Sequence, residues 1–137
     1  KIVVLRPGAK TRRLTNSDEL LLALKGWETV ALETMTVREQ MRTFAEATHI
    51  VAAHGAGLVN LLWCRPGTKV IEIQDTKMIH KKVYPLLSHH LGLKHELYLA
   101  DTVPIKLEDG KKPKGIKRIS DLINFKIDIP DLLKYLD

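Results

Sequence analysis

A chain of 137 residues with 45% apolar side chains suits one domain around a single sizeable core, and nothing in it suggests a second. One cysteine, Cys64, excludes an internal disulfide or a multi-cysteine zinc site, and its place between Trp63 and Arg65 reads as a buried thiol. The formal charge of +6 favours anionic or phosphorylated ligands, but the aromatic side chains are too scattered for a nucleic-acid stacking surface. No apolar run is long enough to cross a bilayer, and KIVVLR reads as a strand rather than a leader, so Lys1 is expected to be the start of a fragment.

Ile2 to Leu5 is an apolar run closed by Arg6-Pro7-Gly8, the pattern of a parallel strand buried on both faces. The next loop carries Lys10, Arg12 and Arg13. Asn16 or Ser17 then caps a helix whose first turn holds Asp18 and Glu19 and which Lys25-Gly26 close. Trp27 to Leu32 reads as a strand with Val30 and Leu32 on one side. Thr36 and Glu39 form a capping box, and Val37, Met41, Phe44 and Ala45 make one apolar stripe, so this helix covers a sheet with one side only. His49 to Ala53 is a buried strand that stops at His54-Gly55-Ala56-Gly57, and Leu58 to Trp63 reads as one or two turns of apolar helix.

Pro66-Gly67 turns the chain into a strand over Lys69 to Ile73, with Glu72 near its C-terminal end. Ile79 to Leu91 has helical spacing; Pro85 must start, kink or split that helix, and Gly92 suits its C-terminal cap. Lys94 to Leu99 is a weaker strand. Residues 100 to 120, with two prolines, two glycines and a lysine cluster, read as a flexible basic loop. Asn124 to Ile129 alternates as a strand, and Pro130 opens a last helix.

Strands alternating with helices predict an α/β fold: a doubly wound, mostly parallel, Rossmann-like sheet in three α/β/α layers. Ligands of such sheets bind beyond the carboxyl ends of the strands where the winding reverses, and a strand order 2-1-3-4 places the loops after the first and third strands there together. A strand that breaks at small residues before a helix leaves backbone N–H groups unpaired at the positive end of the helix dipole, which is an anion site. Gly55 and Gly57 permit positive φ there, and with Ala56 they keep side chains away from the N–H groups. Neither a dinucleotide fingerprint nor a P-loop is present, so cations must be borrowed, and Arg6, Arg12 and Arg13 are the candidates. His54 donates to a phosphate or moves protons near neutral pH; Glu72 accepts from ribose hydroxyls; Asn60 ties the helix to a loop or touches ligand. The histidine spacing fits no metal site, and an esterase reading lacks the Gly-x-Ser-x-Gly elbow it needs. A flavodoxin-like nucleotide or phosphate-binding module without catalysis is the alternative.

Arg6, Arg12-Arg13 with Asn16, Glu33 followed by Glu39-Gln40, His54-Gly55-Ala56-Gly57-Leu58 with Asn60, and Pro66-Gly67 followed by Ile71-Glu72-Ile73 together resemble the family-61 glycosyltransferases, in order from about Leu5 to about Leu93. The resemblance implies the C-terminal, donor-binding half of a two-domain GT-B enzyme that transfers a sugar with inversion from a nucleotide-diphospho-sugar, UDP-linked, to a glycan or glycoprotein acceptor. It implies that Gly55, Ala56, Gly57 and Leu58 hold the diphosphate by backbone N–H groups. Arg6 with Arg12 or Arg13 neutralises it, Glu72 binds ribose, and Asn16, His54 and Asn60 belong to the same site. No cofactor or metal is expected. No general base is assigned, because that group is expected on the absent N-terminal domain. The compartment is left open.

Overall fold

The computed structural model describes residues 1–76, 82–105 and 123–136. Strands β1 (Ile2–Leu5), β2 (Glu28–Ala31), β3 (His49–Ala53), β4 (Lys69–Gln74) and β5 (Lys94–Leu99) form one parallel sheet in the order β2-β1-β3-β4-β5. This is the doubly wound, Rossmann-like α/β fold expected, extended by one strand. Ile2 pairs with Glu28 on one side and Ile50 on the other, so the winding reverses about β1, and the carboxyl ends of β1 and β3 open side by side.

The strands are near-continuous apolar runs because both faces are covered. Val3, Val51, Ile71 and Ile73 face α1 (Ser17–Ala23) and α4 (Ile129–Leu133), packing with Leu20, Phe125 and Leu132. Ile2, Val4, Ile50, Ala52 and Val70 face the other layer, packing with Phe44 of α2 (Val37–Glu46) and with Leu58 and Leu61 of a 3-10 helix, Ala56–Trp63. Tyr84 and Leu87 of α3 (Val83–His90) lie on this side too. Each large side chain sealed in this way contributes about 1.5–3 kcal/mol.

Thr36 and Glu39 form the expected capping box, but the stripe on α2 is narrower than its spacing implied: Phe44 is fully buried and Val37 is 71% exposed. Val37 is the first residue of the helix. Pro85 falls in the first turn of α3, where the missing N–H breaks no helical bond, and Gly92 closes that helix with φ +67.

Two expectations are corrected. Part of the segment read as a loose loop is a strand: β6 (Asp101–Pro104) pairs antiparallel with β7 (Ile123–Lys126) as a separate two-stranded sheet, while residues 106–120 of that segment lie outside the described residues. The apolar helix after β3 is a 3-10 helix with Val59, Leu62 and Trp63 about half exposed, because only Leu58, Asn60 and Leu61 turn inward. Among the described residues no helix is long and apolar enough to cross a membrane.

Candidate functional site

A cavity of about 360 Å³ opens where the sheet topology reverses. Val4 and Leu5 of β1, Ala52 and Ala53 of β3, and Phe44 form its apolar wall; Leu32 and Glu33 close one side, and Arg6, Gly55, Gly57 and Leu58 form its rim. Gln40 of α2 fixes this frame. Its amide nitrogen donates to the carbonyls of Leu32 (3.0 Å) and Met35 (3.3 Å), and its oxygen accepts from Asn60 Nδ2 (3.0 Å), which also donates to the Gly57 carbonyl (3.1 Å). Asn60 therefore ties the 3-10 helix to α2, not to a loop as expected.

The turn is held open by contacts rather than by unusual torsions. Gly55 is extended, with φ 170, and Gly57 has no positive φ, so the expected left-handed glycines are absent. Gly57 is small because a Cβ there would stand 2.6 Å from Leu32 Cδ1. The Leu58 amide bonds the Gly55 carbonyl (3.0 Å) and is occupied. The amides of Gly55, Ala56 and Gly57 have no acceptor among the described residues, as the first turn of any helix leaves them.

Arg6 leans over this turn: a Cβ built on Gly55 would lie 3.7 Å from Arg6 Nη1. That nitrogen is buried and has no hydrogen-bond partner among the described residues. Burial and the nearby charge of Arg12 lower the Arg6 pKa, and Glu33 partly offsets them. A buried guanidinium nitrogen without an acceptor carries an uncompensated desolvation cost that an incoming anion removes.

Arg12 reaches the same place from the loop after β1, donating from Nη1 to the His54 carbonyl at 3.4 Å. Its φ of 58 is left-handed, a conformation costing a non-glycine residue about 1–3 kcal/mol. The surroundings impose it: Arg12 N–H donates to Ile123 (2.6 Å), Thr15 N–H to Phe125 (2.8 Å), and Phe125 N–H returns to Arg13 (2.8 Å). Arg13 is exposed and lines a small hollow of about 140 Å³ together with Arg6, Leu5, Pro7 and Leu14. Asn16 stands apart from the turn. Its side chain makes no cap bond; it clamps the backbone of Ile127, donating to the carbonyl (2.8 Å) and accepting from the N–H (3.0 Å).

Glu72 has no exposed surface, and both its oxygens are taken. Oε1 accepts from His54 Nδ1 in a short bond and from Gln74 Nε2 (2.7 Å); Oε2 accepts from His95 Nε2 (2.9 Å). Burial alone would raise its pKa, but the bonds from His54, His95 and Gln74 outweigh burial and hold it down to about 2. With no exposed surface, Glu72 offers a ribose no direct contact in this arrangement. Cys64 is buried as expected, and burial pushes its thiol up to about 11. Among the described residues no group of three or more His, Cys, Asp or Glu side chains is arranged to hold a metal.

The structure thus brings Arg6, Arg12, His54, Gly55, Ala56, Gly57 and Asn60 together at the ends of β1 and β3, with Arg13 beside Arg6 and Asn16 turned to Ile127. Sequence reading missed His95, Gln74, Ser88 and Tyr84. The register gave a signal for His95: Val70 pairs with His95 and Glu72 with Leu97, which puts His95 on the same sheet face as Glu72, one pair away.

A doubly wound α/β domain of this kind places its ligand cleft beyond the carboxyl ends of its strands, at the topological switch point. The Glycosyltransferase 61 family model matches residues 1–71. The chain is 31% identical over 127 residues to the beta-1,2-xylosyltransferase RCN11 of Oryza sativa subsp. japonica, covering 85% of this chain and 21% of that protein. It is 27% identical over 114 residues to a beta-1,2-xylosyltransferase of Arabidopsis thaliana, covering 71% of this chain and 21% of that one. The chain belongs to glycosyltransferase family 61, and spans about a fifth of the length of these relatives.

Proposed function

We propose that this domain is the donor-binding half of a GT-B-type inverting glycosyltransferase, holding a UDP-linked sugar for transfer to a glycan or glycoprotein acceptor that a separate N-terminal domain presents. The observation that carries this reading is the buried, partnerless Arg6 Nη1 beside the open amides of Gly55 to Gly57, on the rim of an apolar cavity large enough for a nucleoside. The diphosphate lies against the turn, with Arg6 and Arg12 neutralising the charge that grows on the departing nucleotide. These guanidinium groups supply the charge a metal ion supplies elsewhere, so donor binding is read as metal-independent. Asn16 and Arg13 act by shaping the loop, and Glu72 acts through His54. The names of both relatives make UDP-xylose the first donor to test.

Calorimetric titration with UDP, GDP and UDP-sugars, with and without chelator, tests the reading. Saturable binding of UDP or a UDP-sugar is expected, weakened roughly tenfold or more by Arg6→Ala, which removes a charge-assisted bond. Absence of saturable binding by the folded chain to every member of the panel overturns it, as does binding that survives both Arg6→Ala and Gly57→Val.

A further inference from the structure

Two charged residues line the cavity at the switch point, Arg6 and Glu33, and the anion site uses only the first. Glu33 lies in the 3-10 turn Leu32–Thr34 that follows β2. This turn is fixed: Met35 N–H donates to the Leu32 carbonyl (3.2 Å), Thr34 Oγ1 donates to the Ala31 carbonyl (2.9 Å), and Gln40 holds the Leu32 and Met35 carbonyls. Leu32 Cδ1 in turn fills the space a side chain at Gly57 would need, so the turn bearing the carboxylate and the turn bearing the open amides keep a set spacing. Glu33 itself is exposed. Its Oε1 lies 3.4 Å from the Gly8 nitrogen, longer than a strong hydrogen bond, and its carboxylate makes no other among the described residues.

Arg6 and Glu33 face one cavity without forming an ion pair, although the Glu33 charge is felt at Arg6 and partly offsets the lowering of its pKa. Opposite charges held apart in this way select a ligand that is anionic at one end and carries hydrogen-bond donors at the other. A carboxylate only accepts, so it suits hydroxyl groups and repels phosphate, and the Gly8 N–H beside it adds a donor; a vicinal diol, which both gives and accepts, matches the pair. Carboxylates take ribose hydroxyls in dinucleotide folds. Resting on the donor reading above, we propose that Glu33 is the ribose-binding residue, its carboxylate accepting from the 2′- and 3′-hydroxyls while the diphosphate lies at Arg6 and the glycine turn. It fills the role that Glu72, without exposed surface, leaves open. Glu33→Gln then has two opposed effects: it removes a charged acceptor from the diol, and it removes a negative charge that repels the diphosphate. A ligand with the diol loses by the change, and one without it gains.

Calorimetric titration of the 137-residue chain and of its Glu33→Gln variant with UDP, 2′,3′-dideoxy-UDP and UDP-xylose tests this. The wild type is expected to bind UDP roughly tenfold tighter than the dideoxy analogue. In Glu33→Gln, UDP and UDP-xylose should weaken by a similar factor while the dideoxy analogue holds or tightens, so that the preference for the diol disappears. Equal binding of UDP and the dideoxy analogue by the wild type overturns the inference and leaves the donor reading intact, as does a preference that survives Glu33→Gln. Tightening of all ligands together in the variant also overturns it, because a mere counter-charge to Arg6 behaves that way. So does a loss confined to UDP-xylose, which places the carboxylate at the transferred sugar instead. Failure of the folded wild-type chain to bind any of the ligands removes both readings.

Discussion

Two polar knots are buried in this domain, one on each side of the sheet, and they are built differently. On the α1 side, Asn16 exchanges two bonds with the Ile127 backbone, and its amide nitrogen also reaches Glu19 (3.3 Å). The exchange between Asn16 and Ile127 is neutral, matched donor to acceptor, and closed. On the α3 side the knot is charged, with one carboxylate shared by three donors, and its surroundings leave Arg6 Nη1 and Gln74 Oε1 without partners among the described residues. A closed knot holds structure together. An open one, at a cavity mouth, marks where a ligand completes the bonding.

The largest expected effect comes from breaking the closed knot. Asn16→Ala strands a buried N–H and a buried carbonyl of Ile127 and should lower unfolding free energy by about 2–3 kcal/mol, read from urea denaturation. The charged knot is broken by acid instead. Glu72 is depressed from 4.5 to about 2 on folding, so its contribution is fully present above about pH 4.5 and is lost as pH falls through about 2. Denaturation midpoints measured across that window should fall steeply in the wild type and more gently in Glu72→Gln. The smallest effect sharpens the contrast: Arg6→Met should leave stability unchanged or raise it by about 0.5–1 kcal/mol, while UDP binding is lost. A clear loss of stability in Arg6→Met would mean that this nitrogen is satisfied after all.

Most of the fold was legible because the signals were local. Apolar runs bounded by Pro-Gly and Gly turns gave four parallel strands and a weaker pattern the fifth, and Thr36 with Glu39 placed the start of α2 to the residue. The short strand β6 was missed because Asp101, Thr102 and Pro104 look like loop, and its partner β7 lies beyond an intervening segment. At the site, the arginines and the small-residue turn were readable from their positions after β1 and β3. The partner of His54 was not: Glu72 looked like a free strand end, and only the register of β4 against β5 brings His95 and Ser88 onto it. Glycine was read as conformational freedom at Gly57 where the reason is the Leu32 methyl beside it, a contact no local sequence signal carries.

The left-handed turn at Arg12 takes its shape from β7, more than a hundred residues downstream. Closing a loop of that length carries a larger entropy cost than joining neighbouring strands of the sheet. In a chain made from its N-terminus, the arginine loop has nothing to lean on until β7 is made, so the anion site proposed here depends on a segment far from it in sequence.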